Sequence, residues 1–258
     1  MTITTVVTAG IYLRLLNVVV ILSSRSDIIL PWKQWDILIM RQIELLGLKL
    51  QDHSVREAMR LLHEFMNDEV CNKLDFVTHE LLLSASENPE LAGYIQGADL
   101  TVFTSPDILA AANMSGRARE REIESNLFLK GMLRKFSKEE RSIYLITPSE
   151  EVADTLKAEL ATINDRLRFC GVSVAGTDDF DMDSIVNDIN SVIPDVVVIR
   201  LAAGMGEKFM AVNSMKINSR LLVSLGDAEL KGLGSGYTGL RNFIIRRLFK
   251  REATKYQN

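Results

Sequence analysis

The feature that most restricts this chain is an alternation of short apolar runs with longer stretches of helical periodicity. The runs are Leu74–Val77, Leu100–Phe103, Ser142–Ile146 (SIYLI), Arg168–Val174, Asp195–Leu201 (DVVVIRL) and Arg220–Leu225 (RLLVSL). Runs this short and this apolar suit strands covered on both faces; strands with one wet face would alternate polar and apolar residues. Amphipathic segments near 107–114, 123–136, 149–163, 181–191 and 205–218 lie between them and have the length of helices. This order predicts an α/β fold, a mostly parallel sheet with helices on both faces and right-handed crossovers. Such sheets bind ligands beyond the carboxyl ends of their strands. Candidate site residues therefore follow Val77, Phe103, Ile146, Leu201 and Leu225.

Upstream, Ile43–Leu50 (IELLGLKL) reads as a strand or short hairpin broken at Gly47. Ser54 with Glu57 three residues later forms a capping-box pattern. The helix behind it runs to about Asn67, with Val55, Met59, Leu62 and Met66 on one face. Composition fits this picture: 47% hydrophobic and 25% charged residues in 258 is a globular balance, neither disordered nor polytopic. A net charge of −4 argues against a chain that coats nucleic acid. Cys71 and Cys170 have no framework or metal spacing, which fits a reducing cytoplasm. His53, His63 and His79 contain no HExxH pair, so no zinc chemistry, other metal site or cofactor is indicated.

The two ends differ from the middle. Residues 1–40 form an apolar extension in which Thr5–Ser23 approaches the ~20 residues of a membrane span. Arg14 and Asn17 near its centre make spanning costly. An irregularly packed extension is the competing reading. Trp32 and Trp35 follow, where interface anchors could sit. Residues 41–236 make the α/β domain, and Gly232, Gly234 and Gly236 mark a flexible stretch before residues 237–258. There Leu240, Phe243, Ile244, Leu248 and Phe249 share a helical face, while Arg241, Arg246, Arg247, Lys250, Arg251 and Lys255 face a single Glu252. A C-terminal basic amphipathic helix suits an anionic membrane surface. Arg241, Phe243, Arg246, Arg247, Phe249, Lys250 and Arg251 are the candidate membrane-binding residues; a helix docked on its own core is the alternative.

Four stretches, in order, resemble one family: IELLGLKLQDHSVREAMRLL, ENPELAGYIQGADLTVF, INSVIPDVVVIRLAAGMGEKFM and GLRNFIIRRLFKRE. The chain resembles the WecG/TagA/CpsF glycosyltransferases from Ile43 to Lys255. The resemblance implies a Rossmann-like fold and transfer of an N-acetylmannosamine-type sugar from a UDP donor. The implied acceptor is an undecaprenyl-diphosphate-linked amino sugar at the inner face of the cell membrane, in surface polysaccharide or teichoic acid synthesis. A catalytically inactive family member that binds nucleotide-sugar, lipid or a partner is the alternative. The sequence leaves self-association open.

The family's signature is largely replaced here. Where the family has Asp-Gly, its expected general base, this chain matches Thr104-Ser105. Asp107, three residues on, either substitutes as the base or caps a helix after Pro106. Both Thr104 and Asp107 are kept as catalytic candidates. A family Gly-Gly is matched by Thr147-Pro148, and Thr147 either offers a hydroxyl to a ligand or helps start a helix. The family's Pro-Lys-Gln-Glu is matched by Gly204-Met205-Gly206-Glu207, which keeps only the glutamate. Arg121 stands where the family has an arginine suited to a diphosphate, although its charge-alternating surroundings also suit a solvated face. Thr78 replaces a family asparagine, and His79 beside it has a near-neutral pKa suited to a base. The expected substrate contacts are thus Thr78, Ser105, Arg121, Thr147 and Glu207.

Overall fold

The computed structural model describes residues 18–21, 28–31, 41–114, 116–176, 181–226, 228 and 239–255. It divides into two units, Met1–Arg41 and Gln42–Asn258. In the first, β1 (Val18–Ile21) and β2 (Ile28–Pro31) pair antiparallel, with Val18 opposite Pro31. The remainder of the apolar run Thr5–Ser23, and Trp32 and Trp35, lie outside the described residues. Among the described residues no helix is long and apolar enough to cross a membrane.

The hairpin β3 (Arg41–Leu45) and β4 (Leu48–Asp52) belongs, but for Arg41, to the second unit. Leu46 and Gly47 form its turn with φ of 53° and 78°. Two consecutive positive φ values match the twist of a tight hairpin; glycine adopts them freely and leucine at a steric cost. Helix α1 (Val55–Phe65) follows with its capping box complete. The Ser54 backbone N–H donates to Glu57 Oε2 at 2.8 Å, and the Glu57 N–H donates to Ser54 Oγ at 3.3 Å.

Six strands then build one sheet: β5 (Asn72–Val77), β6 (Leu100–Phe103), β7 (Ser142–Thr147), β8 (Arg168–Val174), β9 (Val196–Ile199) and β10 (Leu221–Ser224). Their spatial order is β6-β5-β10-β9-β7-β8, and every pairing in it is parallel. Each expected apolar run is a strand. The connections are helical: α2 (His79–Glu87) and α3 (Pro89–Gln96) between β5 and β6; α4 (Pro106–Ala111), α5 (Arg117–Glu124) and α6 (Leu127–Lys138) before β7; α7 (Glu150–Ile163), α8 (Met182–Val192) and α9 (Met205–Asn213) thereafter. The last helix is α10 (Gly239–Lys255).

The sheet separates cores on its two faces. Leu74, Leu100, Ile143, Leu145, Val196, Val198, Leu221 and Val223 pack with residues of α1, α6 and α7. On the other face Tyr144, Ile146, Val197, Ile199 and Leu222 meet α8 and α9. Val77 and Phe103 meet α2, α3, the β3–β4 hairpin and α10.

Helical detail departs from the sequence expectation at three places. Helices α2 and α3 fill the stretch between Val77 and Leu100, where the sequence reading places no helix. Asn88 in fact ends α2 and caps α3, accepting from the Glu90 and Leu91 N–H groups. The segment near 123–136 belongs to two helices, α5 and α6, with Asn126 between them at φ 50°. The segment near 205–218 ends as a helix at Asn213.

Strand β8 carries a bulge: Ile143 pairs Phe169 while Tyr144 pairs Gly171, leaving Cys170 as the extra residue. The Tyr144 ring lies over Gly171, where an added Cβ would fall 2.4 Å from Tyr144 Cε2. Its hydroxyl is 2.8 Å from Ser173 Oγ. Gly171→Ala should therefore destabilise the fold by about 1–3 kcal/mol through overpacking, read as a lower urea midpoint with an unchanged m-value.

Candidate functional site

The parallel sheet places the residues after β5, β6, β7 and β9 along one edge. Thr78 follows β5, Thr104 and Ser105 follow β6, Thr147 ends β7, and Glu207 opens α9 after β9. Strands β5 and β6 are neighbours, whereas β7 stands three places from β5. At ~4.8 Å per strand, Thr78 and Thr147 are separated by roughly 14 Å along the edge.

Most of these side chains begin helices. Thr78 is buried and its Oγ1 accepts the Leu81 N–H at 3.1 Å, capping α2. Ser105 is buried and its Oγ accepts the Asp107 N–H at 3.4 Å, capping α4. Thr147 is fully buried and donates its hydroxyl to the Ser149 carbonyl at 2.9 Å. Thr104 is partly buried and donates to the Val77 carbonyl at 3.1 Å, tying the end of β6 to that of β5. A helix start leaves orphan N–H groups that short hydroxyl side chains satisfy well, which is why Thr78 and Ser105 stand at the starts of α2 and α4.

Glu207 does not line an open site. Its side chain is buried, its Oε2 accepts the Gly204 N–H at 2.7 Å, and its Oε1 accepts the Ser224 hydroxyl at 2.6 Å. In this structure Glu207, expected as a substrate contact, caps the start of α9. Thr147 is likewise occupied inside the fold.

Asp107 is a partly exposed carboxylate of this edge, and it lies in the first turn of α4. The cap of α4 is Ser105, so Asp107 is not spent on capping. Two cations from α10 reach it: Arg246 Nε lies 3.7 Å from Oδ2 and Lys250 Nζ 3.4 Å from Oδ1. Arg246 also donates from Nη2 to Ser105 Oγ at 3.5 Å. Nothing local signals this meeting, since Asp107 and Arg246 are 139 positions apart.

Phe249 anchors the same helix. Its side chain is fully buried, and its ring packs edge-on against His79 with centroids 4.7 Å apart. The expected insertion of Phe249 into a bilayer gives way to a core contact, because the pocket beside α2 offers the ring an apolar lining within the domain. His79 is correspondingly a packed ring. Leu248, its sequence neighbour, is exposed. Arg247, Lys250 and Arg251 are exposed on the helix surface, and Arg246 is partly so. The side chains of Arg241 and Phe243 lie outside the described ones.

Arg121 is exposed on α5. The arginine of this helix that turns inward is Arg119, which donates to Asp52 Oδ1 at 2.8 Å and Glu122 Oε2 at 2.9 Å. It thereby ties α5 to the end of β4. A residue not singled out in the sequence, Asp75, is fully buried in β5 beside this edge. A lone carboxylate inside the apolar run Leu74–Val77 was the available signal. Among the described residues no group of three or more His, Cys, Asp or Glu is placed to hold a metal ion.

No curated protein matches the chain. A family model does match, that of the glycosyl transferase WecG/TagA/CpsF family, over residues 43–228. The match covers well over half of the chain, from the β3–β4 hairpin past the end of β10, and so includes the whole six-stranded sheet. On that match and this parallel α/β architecture, the chain belongs to the WecG/TagA/CpsF family of glycosyltransferases.

Proposed function

We propose that the protein is a membrane-peripheral glycosyltransferase that moves an N-acetylmannosamine-type sugar from a UDP donor to a lipid-diphosphate-linked amino sugar. Family membership supports sugar transfer in surface polysaccharide synthesis. The observation that carries the catalytic part is Asp107, a partly exposed carboxylate beside the Thr104-Ser105 loop at the ligand-binding edge of the sheet. Thr104 stands at the family's base position, but a hydroxyl does not accept a proton near neutral pH.

Asp107 would act as general base. It takes the proton of the acceptor hydroxyl as that oxygen attacks the anomeric carbon. The bond from that carbon to the diphosphate oxygen breaks, and its electron pair leaves with UDP. Arg246 and Lys250 add two positive charges at this edge, which suits a leaving diphosphate. The exposed Arg247 and Arg251 then serve the membrane surface, with Leu248 entering it shallowly.

A second reading is a family member that binds nucleotide-sugar without turnover. The observation favouring it is that Thr104 replaces the expected carboxylate and that Asp107 already holds two cations.

Turnover with UDP-sugars and a lipid-diphosphate amino-sugar acceptor decides between them. Asp107→Asn should lower transfer by ~10²–10⁴-fold, the usual contribution of general-base catalysis, with UDP affinity kept. Robust transfer by that variant sinks the base assignment, and UDP binding without any wild-type transfer establishes the second reading. Membrane association has its own test, co-sedimentation with anionic vesicles. Arg247→Gln combined with Arg251→Gln should weaken it by about tenfold or more, at ~1 kcal/mol per cation. Wild-type binding should fade as salt rises and the Debye length shrinks from ~10 Å at 0.1 M to ~3 Å at 1 M. Equal sedimentation of wild type and double variant would remove α10 as the anchor.

A further inference from the structure

Asp75 is the polar residue of an otherwise apolar run, and no water reaches it. In register its neighbours are Thr101 on β6 and Ser224 on β10. Aligned residues of parallel strands direct their side chains to the same face. On that face α9 begins, and it begins very close: a Cβ on Gly206 would fall 2.8 Å from Ser224 Oγ and 3.2 Å from Ile199 Cγ2. This approach brings the Glu207 carboxyl into the interior beside Asp75.

The two acids have different surroundings. Both Glu207 oxygens accept hydrogen bonds, one from the Gly204 N–H and one from the Ser224 hydroxyl. Neither Asp75 oxygen meets a donor among the described groups. Thr101, next to it in register, sends its hydroxyl to the Gln51 carbonyl at 3.0 Å instead. The charged group that acts on Asp75 is Glu207, with no compensating cation from β6, β10 or α9 among the described residues. A buried carboxylate facing a second carboxylate with no donor is a costly state, and a proton removes the cost by supplying the missing donor. Burial first, and then the Glu207 charge and hydrogen bond, hold the Asp75 carboxyl well above its ordinary value.

We propose that Asp75 and Glu207 hold one proton between them, with Asp75 donating to Glu207, and that Asp75 is thereby a positioning residue for the Gly204–Gly206 turn. The chain of contacts runs from Asp75 to Glu207, and from Glu207 to the Gly204 N–H and the Ser224 hydroxyl. It fixes the loop that leaves β9 at the edge where the donor nucleotide would bind. The shared proton stands on the burial of both acids, on the pairing of Asp75 with Ser224 in register and on the Ser224–Glu207 hydrogen bond, whereas the positioning role rests on the transferase reading.

The sign of the pH effect follows from the raised value. The unfolded chain releases the Asp75 proton near 3.8, while the folded chain keeps it to higher pH. The stabilisation is therefore complete below that value and is lost as pH rises toward the folded one. Relative to Asp75→Asn, the wild-type unfolding equilibrium should shift toward the unfolded state by up to tenfold per pH unit across that window. Charges elsewhere cancel in this comparison.

Isotope-edited infrared spectroscopy of the full chain, with ¹³C-labelled aspartate at neutral pH, detects the proton directly. A label-sensitive band of a protonated carboxylic acid is expected in the wild type. It should be absent from Asp75→Asn and from Glu207→Gln, whose amide can donate to an ionised Asp75. No such band, or equal pH slopes of stability in wild type and Asp75→Asn, overturns the shared proton. Calorimetric titration with UDP tests positioning: wild-type affinity should fall as the pair loses its proton, by up to tenfold per pH unit, while Asp75→Asn stays flat. Parallel pH profiles overturn the positioning role. A wild type that shows the band but does not bind UDP removes the transferase reading and the positioning role together, and leaves the shared proton in place.

Discussion

The architecture depends on the burial of β9 and β10 on both faces. Every residue of these two strands is buried, so each face must be closed by helices that leave no water over the sheet. That demand dictates how α9 enters. Its first turn must rest directly on Ile199 and Ser224, which glycine at 206 permits. Gly204 at φ 92° turns the chain into the helix. Once α9 lies this close, the carboxylate that caps it cannot reach solvent, and its partners must come from the sheet. Ser224 supplies one hydrogen bond and Asp75 lies beside it.

The same economy of polar groups shapes the ligand-facing edge. Helices that start there present unpaired N–H groups, which attract either a bound anion or a side-chain cap. Thr78, Ser105 and Ser149 provide caps at three of those starts. At these starts hydroxyl groups satisfy the backbone locally. Asp107 escapes this fate because Ser105 takes the capping position, leaving its carboxylate to meet Arg246 and Lys250.

Helix α10 shows why a periodicity argument alone misassigns a surface. Leu248 and Phe249 both count as apolar in the sequence, yet they are 100° apart on a helix and have opposite fates. Phe249 enters the pocket at His79, and Leu248 stays exposed. The basic residues divide in the same way. Arg246 and Lys250, four apart and therefore on one face, turn toward Asp107. Arg247 and Arg251 occupy the neighbouring exposed strip.

By itself the sequence determined the elements governed by local physics. The short runs identified all six sheet strands, most plainly β9 and β10, because a strand covered on both faces requires continuous apolar residues. Ser54 with Glu57 identified the start of α1, because a capping box closes within four residues. The motif order identified the family. Tertiary structure alone decided which polar groups meet. Nothing local pairs Asp75 with Glu207 or Asp107 with Lys250, since these contacts arise from strand order and helix docking across more than 130 residues of chain. It also decided which candidate side chains remain open to a ligand. Burial is a property of the whole packed sheet, and it encloses Thr147 and Glu207, which no local feature of the sequence indicated.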